Sequence, residues 1–167
     1  MIGLPMYELR TRLEGEQTQV WDPIRKKWLV LTPEEHVRQC LIQFLIAELE
    51  VPPGLISLEK GLKVDRRRKR YDLTVYGREG TPLLACECKA PYVKLDQKAA
   101  LQLAVYNREL KAPFLAWTNG EYLLFYAHSE TGQLELQNHP WNFSQMTSYP
   151  TKPFSLGFIW RVTMNCV

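Results

Sequence analysis

Residues 70–90 form a hairpin pattern whose apolar strands are interrupted by charged residues. The segment reads RYDLTVYGREGTPLLACECKA, with a GREG turn between two apolar runs. Asp72 interrupts the first run, and Glu87 and Lys89 interrupt the second. Charged side chains inside a sheet are unfavourable unless they are paired or bind a metal. The segment therefore predicts a β-hairpin with a charged cluster that either pairing or function must explain.

The alternation of side chains along each strand predicts where these charges lie. Asp72 shares a face with Thr74, Glu87 shares one with Lys89, and the other face of each strand is apolar. The three charged side chains converge if the polar ends of the strands meet. They could then form salt bridges at the open end of the hairpin. The other interpretation is that the carboxylates bind Mg²⁺ while the lysine orients a water towards a phosphodiester.

The remaining pattern predicts a mixed sheet with helices on its faces. A helix begins after Thr32, which is a good N-cap, and Glu35 completes a capping box with it. Three strands follow, then a second helix over residues 94–112, then two strands around an Asn-Gly turn. The order of one helix, three strands, one helix and two strands predicts an α/β sandwich.

The chain of 167 residues is long enough for one domain with a core of its own. Residues 1–31 are predicted as an extension with a small hairpin in QVWDPIRKKWLVL, residues 32–128 as the core, and residues 129–167 as a C-terminal extension that packs on it. No apolar run is long enough to span a bilayer, and the N-terminus lacks the pattern of a secretory signal. We therefore expect a cytoplasmic protein with no membrane partner and with buried, unpaired cysteines.

Residues 60–70 concentrate positive charge directly before Asp72. The run KGLKVDRRRKR has seven basic residues and one acid, although the net charge of the whole chain is only +3. Such runs are usually solvated turns. Phosphate binding is the other interpretation, because the run leads into the charged hairpin. The residues that would then contact DNA are Arg66, Arg67, Arg68, Lys69 and Arg70.

The predicted second helix has a glutamine on its apolar stripe. Gln102 falls on the same side as the apolar residues, and Tyr106 follows one turn later. A glutamine on a buried stripe needs hydrogen-bond partners. It could be a boundary residue that reaches solvent, or it could face the charged end of the hairpin.

These motifs together resemble those of a known superfamily. Asp72, then Glu87-x-Lys89, then Gln102-x-x-x-Tyr106 is similar to the PD-(D/E)xK nucleases with a Q-x-x-x-Y helix. Residues 20–128 resemble the N-terminal nuclease domain of type I restriction enzyme R subunits, through phrases such as LTPEEHVRQC, RRKRYDLTVY, PLLACECKAPYVKLDQ and LKAPFLAWTNG. The resemblance implies an α/β fold with a restriction-endonuclease-like mixed β-sheet flanked by helices.

The resemblance also implies an activity and a metal site. It implies a metal-dependent DNA endonuclease domain that hydrolyses phosphodiester bonds, with Mg²⁺ as cofactor and Mn²⁺ as a substitute. Asp72 and Glu87 would be metal ligands, with the backbone carbonyl of Cys88 as a candidate third ligand. Lys89 matches the catalytic lysine of the superfamily. The implied partners are DNA and other restriction-modification subunits.

Further residues enter the site only through the resemblance. Gln102 and Tyr106 match the helix motif that positions DNA and the active-site lysine. Glu35 is the candidate for the acid that the first helix contributes, although the capping box also claims it. Tyr71 stands where family members usually have proline.

The sequence also departs from complete R subunits. Those continue into an ATP-driven DNA motor, whereas no G-x-x-x-x-G-K-[ST] loop occurs in these residues. We expect nuclease chemistry without the motor and with little sequence specificity. The alternative is a non-catalytic DNA- or protein-binding module that retains the nuclease fold. Loss of an acid or of the lysine would indicate that alternative, and this sequence keeps all three.

Overall fold

The computed structural model describes residues 2–58, 61–64, 67–94, 107, 110–129, 133–150 and 162–163, with the backbone alone for 61–64, 67–70 and 162–163. The first half contains β1 (Thr11–Glu14), β2 (Gln17–Asp22), β3 (Lys27–Val30), α1 (Pro33–Ala47), a 3₁₀ turn (Pro53–Leu55), β4 (Ile56–Leu58), β5 (Gly61–Val64), β6 (Arg67–Arg70) and β7 (Leu73–Tyr76). The second half contains β8 (Pro82–Cys88), β9 (Phe114–Thr118), β10 (Leu123–His128), β11 (Leu134–Leu136), α2 (Phe143–Thr147) and β12 (Val162–Thr163).

The central sheet is mixed, as the sequence predicts. Its six longer strands have the order β11-β10-β9-β8-β7-β4, and the two-residue β12 extends it beyond β11. The pairs β8–β9 and β11–β12 are parallel, and the remaining neighbours are antiparallel. Every residue of β9 and β10 is buried, so these strands form the middle of the core.

The first helix begins where the sequence predicts, but its capping box is only half formed. The Thr32 hydroxyl accepts a hydrogen bond from the Glu35 backbone N–H at 3.1 Å. The Thr32 backbone N–H donates to the Val30 carbonyl, and the Glu35 carboxylate bonds to Arg38 and Gln39 instead. The prediction that Glu35 completes the box was therefore wrong, because the next turn of the helix offers charged and amide donors.

The N-terminal residues form a separate antiparallel sheet in the order β1-β2-β3. The predicted hairpin in QVWDPIRKKWLVL is confirmed as β2 and β3. Strand β1 was not predicted, because all four of its residues are exposed and give no apolar alternation. At the turn after β2, the buried Asp22 accepts hydrogen bonds from the backbone N–H groups of Ile24 and Arg25, each at 2.8 Å.

The described part of the basic run forms two paired strands. Strand β4 joins the central sheet, whereas β5 and β6 pair with each other in a two-stranded ribbon, with Gly61 opposite Arg70 and Val64 opposite Arg67. All four residues of β6 are basic. Strand β6 could not be predicted from the sequence, because strand prediction depends on apolar alternation and a run of like charges has none.

The described C-terminal residues pack on the core through aromatic rings. Phe114 in β9 is fully buried, and its ring centroid lies 5.7 Å from Phe125, 5.4 Å from Trp141 and 5.3 Å from Tyr149. Met146 in α2 is also fully buried. The described residues 133–150 thus contribute to the same hydrophobic core, while the predicted domain boundaries stay a prediction.

Most of the predicted second helix lies outside the described residues, but its end is visible. Asn107 and Leu110 are helical. The buried Asn107 amide donates to the Ala112 carbonyl at 2.7 Å and accepts from the Ala112 N–H at 2.9 Å, where Lys111 has a φ of +56°. These bonds satisfy backbone groups at the end of the helix and fix its exit into β9.

Other expectations can be compared with the described residues. Cys40, Cys86 and Cys88 are buried free thiols, as predicted, and Cys166 lies outside the described residues. Within the part of the chain that the structure describes, no helix combines the length and the apolar character that crossing a membrane requires.

Candidate active site

The β7–β8 hairpin brings the predicted acids and lysine together at one end. Asp72 lies directly before β7, Glu87 is the penultimate residue of β8, and Lys89 follows β8. The pairing of Leu73 with Cys86, continued by one residue, sets Asp72 opposite Glu87. The convergence that alternation predicted is thus a consequence of the hairpin register.

Lys89 pairs with Glu87 inside this cluster. The Lys89 Nζ donates to Glu87 Oε1 at 2.6 Å, and the Lys89 backbone N–H donates to the Thr118 carbonyl at 2.9 Å. Partial burial would lower the pKa of Lys89, but its hydrogen bond to Glu87 and the charges of Glu87, Asp72 and Glu34 outweigh burial and raise the pKa. Lys89 is therefore a cation at neutral pH and can stabilise negative charge rather than accept a proton.

The surroundings of Glu87 disfavour its charged form. Its pKa is raised by burial first, then by the negative charge of Asp72, while the hydrogen bond and charge of Lys89 lower it, and Glu34 contributes a further rise. The side chains of Asp72 and Glu87 are only 19% and 22% exposed, so water screens this repulsion weakly. A divalent cation between the two acids would relieve it.

Arg38 is the site residue that the sequence analysis missed. Its Nη2 donates to Asp72 Oδ1 at 3.0 Å and to Glu34 Oε1 at 3.0 Å, and its Nη1 donates to Glu35 Oε2. The side chain is 7% exposed, so this guanidinium lies beneath the surface between α1 and the hairpin. The signal in the sequence is the spacing of EEHVR, because residues three and four apart on a helix are neighbours.

Asp72 has one donor on each carboxylate oxygen. Arg38 occupies Oδ1, and the backbone N–H of Cys88 donates to Oδ2 at 2.7 Å. A carboxylate oxygen has two acceptor positions, so each oxygen keeps one for another ligand. The two donors fix the plane of the carboxylate while leaving it able to bind a cation.

The two acids of the first helix have different surroundings. Glu35, the predicted site acid, bonds to Arg38 through Oε2 and accepts from Gln39 Nε2 at 2.9 Å through Oε1. Glu34, whose side chain is 44% exposed, acts electrostatically on both Glu87 and Lys89. Glu34 therefore contributes its charge directly to the cluster, and Glu35 reaches Asp72 through Arg38.

The donor set fits a hard divalent cation with few protein ligands. Across the described residues, no three His, Cys, Asp or Glu side chains form a group that could hold a metal. Magnesium does not need one, because it is commonly bound by one or two carboxylates and keeps water and phosphate as its other ligands. Asp72 and Glu87 supply those two carboxylates. The Cys88 carbonyl as a third ligand stays a prediction.

Several predicted site residues lie outside the described residues or are described by their backbone alone. Gln102, Tyr106 and Arg66 lie outside the described residues. The backbone of Arg67–Arg70 is described as β6, which ends two residues before Asp72. The ribbon therefore leads directly to the cluster, and its contacts with DNA stay a prediction.

Comparison with known proteins shows the family of the chain. The family model described as the type I restriction enzyme R protein N terminus (HSDR_N) matches residues 33–139, which is more than half of the chain. The chain belongs to this family. The match begins at the first residue of α1 and includes the whole β7–β8 hairpin. The three-stranded N-terminal sheet lies before it.

A solved structure resembles this HSDR_N chain in fold. It is a fragment of a protein described as an HsdR subunit of a type I restriction enzyme from Vibrio vulnificus YJ016, with a TM-score of 0.56 and 20% sequence identity. The likeness covers 70% of this chain and 25% of that one, so the chain spans about a quarter of its length. At this identity the likeness shows the fold alone. No curated protein sequence matches the chain significantly.

The raised pKa of Glu87 predicts how this HSDR_N domain responds to pH without metal. Above the raised folded pKa, charged Glu87 destabilises the folded state, and the effect disappears as pH falls towards the ordinary value of 4.5. Glu87→Gln should therefore raise the melting temperature at pH 8, and this advantage should shrink towards pH 5. Thermal denaturation followed by circular dichroism tests this. A Gln variant that melts lower at pH 8 than wild type would contradict it, because pairing with Lys89 would then dominate.

Proposed function

We propose that this chain is a Mg²⁺-dependent DNA endonuclease domain that hydrolyses phosphodiester bonds. The observation that carries the proposal is the group of Asp72, Glu87 and Lys89 at one end of the β7–β8 hairpin, with the buried Arg38 behind it. Two carboxylates that repel each other, next to a lysine that stays protonated, suit a metal and a phosphate together. Membership of the HSDR_N family supports the same chemistry.

The residues of the chain would divide the work as follows. Asp72 and Glu87 would hold Mg²⁺, or Mn²⁺ in its place, which supplies polarisation of the phosphodiester and a lower pKa of bound water. Lys89, held by Glu87 at 2.6 Å, would donate to the phosphate oxygens as negative charge develops on them. Arg38 would keep Asp72 oriented. Gln102 and Tyr106 would position the DNA and Lys89.

DNA would be bound largely through its phosphates. Strand β6 has four consecutive basic residues, and Arg66 precedes it. Phosphate contacts give affinity without reading the sequence, and they weaken as salt rises. The HSDR_N assignment makes other restriction-modification subunits the candidate protein partners, which would supply sequence recognition.

Removing charge from β6 should weaken DNA binding and its dependence on salt. We expect the triple change Arg67→Ala, Arg68→Ala and Lys69→Ala to remove three phosphate contacts. Each phosphate contact contributes roughly 0.9 to the slope of log affinity against log salt concentration. Between 50 and 200 mM salt, the loss of affinity should therefore be about 40-fold smaller for the variant than for wild type. Fluorescence anisotropy with a duplex oligonucleotide measures this.

A matched control removes the same charge elsewhere. Arg12, Lys27 and Arg78 are exposed basic residues outside the ribbon, and their triple change to alanine lowers the net charge by the same three units. The β6 variant should lose more affinity, and more of its salt dependence, than this control. Equal salt slopes for the two variants would mean that the basic residues of β6 are solvated and make no particular contact with phosphates.

The activity itself can be tested on the purified chain. Supercoiled plasmid, linear duplex and single-stranded circular DNA would each be incubated with Mg²⁺ or Mn²⁺, and with EDTA as the metal-free control. The proposal predicts cleavage of at least one form that depends on the metal. DNA binding without cleavage of any form, with the fold verified, would favour the non-catalytic binding module.

A further inference from the structure

A chain of alternating charges joins the N-terminal sheet to Asp72. Arg25 Nη1 lies 3.2 Å from Asp22 Oδ2 and 3.8 Å from Glu35 Oε1. Glu35 Oε2 accepts from Arg38 Nη1, and Arg38 Nη2 donates to Asp72 Oδ1 at 3.0 Å. The five side chains range from 0% to 19% exposed, so this row of charged side chains lies beneath the surface of the protein.

Each end of this chain of charges is fixed by the backbone. Asp22, at the N-terminal end, accepts from the N–H groups of Ile24 and Arg25. Asp72, at the other end, accepts from the N–H of Cys88 at 2.7 Å. In the middle, Gln39 Nε2 donates to Glu35 Oε1 at 2.9 Å. Each of the three acids in this row of charges thus accepts from at least two donors, which restrains its orientation as a positioning device requires.

The geometry points to Arg38 as a positioning residue, which orients Asp72 for metal binding and is itself held by Glu35, Arg25 and Asp22 of the N-terminal unit. This inference rests on the proposed function of Asp72 as a metal ligand. It assigns a role in the site to residues 22–25, which lie before the family match at residues 33–139. Groups that orient a metal ligand commonly change metal affinity or activity by about 10–100-fold.

Arg38 could also weaken metal binding through its positive charge. A guanidinium 3.0 Å from a metal ligand also repels the metal, which would lower affinity. Here that charge is already balanced by Glu34 and Glu35, which both bond to Arg38. Removing Arg38 would leave Glu35 Oε2 and Asp72 Oδ1 without that donor, so both carboxylates would turn from their present orientation. Orientation therefore outweighs repulsion.

Charge and geometry can be separated by two substitutions at Arg38. Arg38→Lys keeps the positive charge but loses the planar fork that reaches Glu35 and Asp72 at once. Arg38→Met removes both. Glu35→Gln keeps the shape of the supporting group and removes its charge. Arg12→Met is the matched control, because Arg12 lies on the same N-terminal sheet with its side chain 43% exposed.

Two measurements on the full chain are needed. Calorimetry with Mn²⁺ gives the metal affinity, and the ¹⁵N–¹H spectrum of the metal-free protein gives the amide resonance of Cys88, whose N–H bonds to Asp72 Oδ2. We expect Arg38→Lys and Arg38→Met to weaken Mn²⁺ binding about 10–100-fold and to shift the Cys88 amide. Glu35→Gln should change both in the same direction. Arg12→Met should change neither.

Each result decides between the two hypotheses. Unchanged or tighter Mn²⁺ binding by Arg38→Lys overturns the positioning role. If Arg38→Met binds Mn²⁺ more tightly than wild type while Arg38→Lys does not, Arg38 acts as a cation that competes with the metal, and the positioning role is overturned as well. If wild type binds no Mn²⁺ but the Cys88 amide shifts in the Arg38 variants, the proposed function fails and the positioning of Asp72 stands. If Arg38→Met does not fold, Arg38→Lys and Glu35→Gln give the answer.

Discussion

Glu87→Gln should reduce metal-dependent DNA cleavage about 1,000-fold while the protein stays folded, which is the range seen when one electrostatic group of an active site is removed. The substitution takes the charge from a metal ligand. It keeps an amide oxygen that can accept from Lys89 Nζ, the group that bonds to Glu87 Oε1 at 2.6 Å. Cleavage of plasmid DNA in Mg²⁺, followed by single-turnover kinetics, measures the effect.

The choice of Glu87 follows from the surroundings of the two acids. Asp72 accepts from Arg38 on one oxygen and from the Cys88 N–H on the other. Asparagine has one acceptor oxygen and alanine has none, so substitution of Asp72 leaves at least one donor without its partner. A loss of cleavage by such a variant could then not be distinguished from a loss of folding stability. Glu87→Gln avoids this problem.

Glu79→Gln provides the control for this cleavage experiment. Glu79 is an exposed carboxylate in the turn at the other end of the same hairpin, where it accepts from the Thr81 hydroxyl at 2.9 Å. Its substitution should leave the cleavage rate within about twofold of wild type, since surface changes away from such features have small effects. An equal loss from both variants would show that the charge of Glu87 has no special role.

Phe114→Ala should lower the free energy of unfolding by about 3–5 kcal/mol, the usual range for a large aromatic residue removed from a core. Phe114 is fully buried in the middle of the sheet, and its ring contacts Phe125 from β10 and Trp141 and Tyr149 from the C-terminal residues. The cavity left by the ring would open between two parts of the chain that are distant in sequence. Urea denaturation measures the loss.

An exposed apolar residue gives the comparison for this loss. Leu13 in β1 is 73% exposed, so Leu13→Ala should change the free energy of unfolding by no more than about 0.5 kcal/mol. A loss below about 1 kcal/mol for Phe114→Ala would mean that the C-terminal aromatic residues are not part of the core.

The hairpin could be predicted from the sequence because its information is local. Alternation places Asp72 on the polar face of its strand, and Glu87 and Lys89 on the polar face of the other. The register that sets Asp72 opposite Glu87 includes a shift between Val75 and Tyr76, which the sequence pattern does not show. The residues of the central cluster were therefore accessible from the sequence, whereas their exact register was not.

Arg38 and Glu34 could not be assigned in this way. Their roles depend on where α1 lies relative to the hairpin, and the spacing within a helix gives only its faces. The spacing of Arg38 from Glu34 and Glu35 predicts an ion pair on the helix, but it does not predict Asp72 as a further partner, which is 34 residues away in sequence. The capping box misled the interpretation of Glu35 for a different reason, since donors in the next turn of the same helix, Arg38 and Gln39, bind its carboxylate instead.

The basic ribbon shows a different limit of the sequence. Strands are predicted from apolar alternation, and β6 is entirely basic, so only its pairing with β5 reveals it. Strand β1 was missed because none of its residues is buried. Backbone pairing stabilises both strands, and the side-chain pattern does not record it.

Calorimetry with Mn²⁺ and Mg²⁺ on wild type and Glu87→Gln, side by side and without DNA, measures whether a metal binds between Asp72 and Glu87. Wild type should bind the metal, and Glu87→Gln should bind it at least about tenfold more weakly, since the substitution removes one of two charged ligands. The folded state of both proteins would be verified first by circular dichroism. Equal binding by the two proteins, or no binding by either, would contradict a metal held between Asp72 and Glu87.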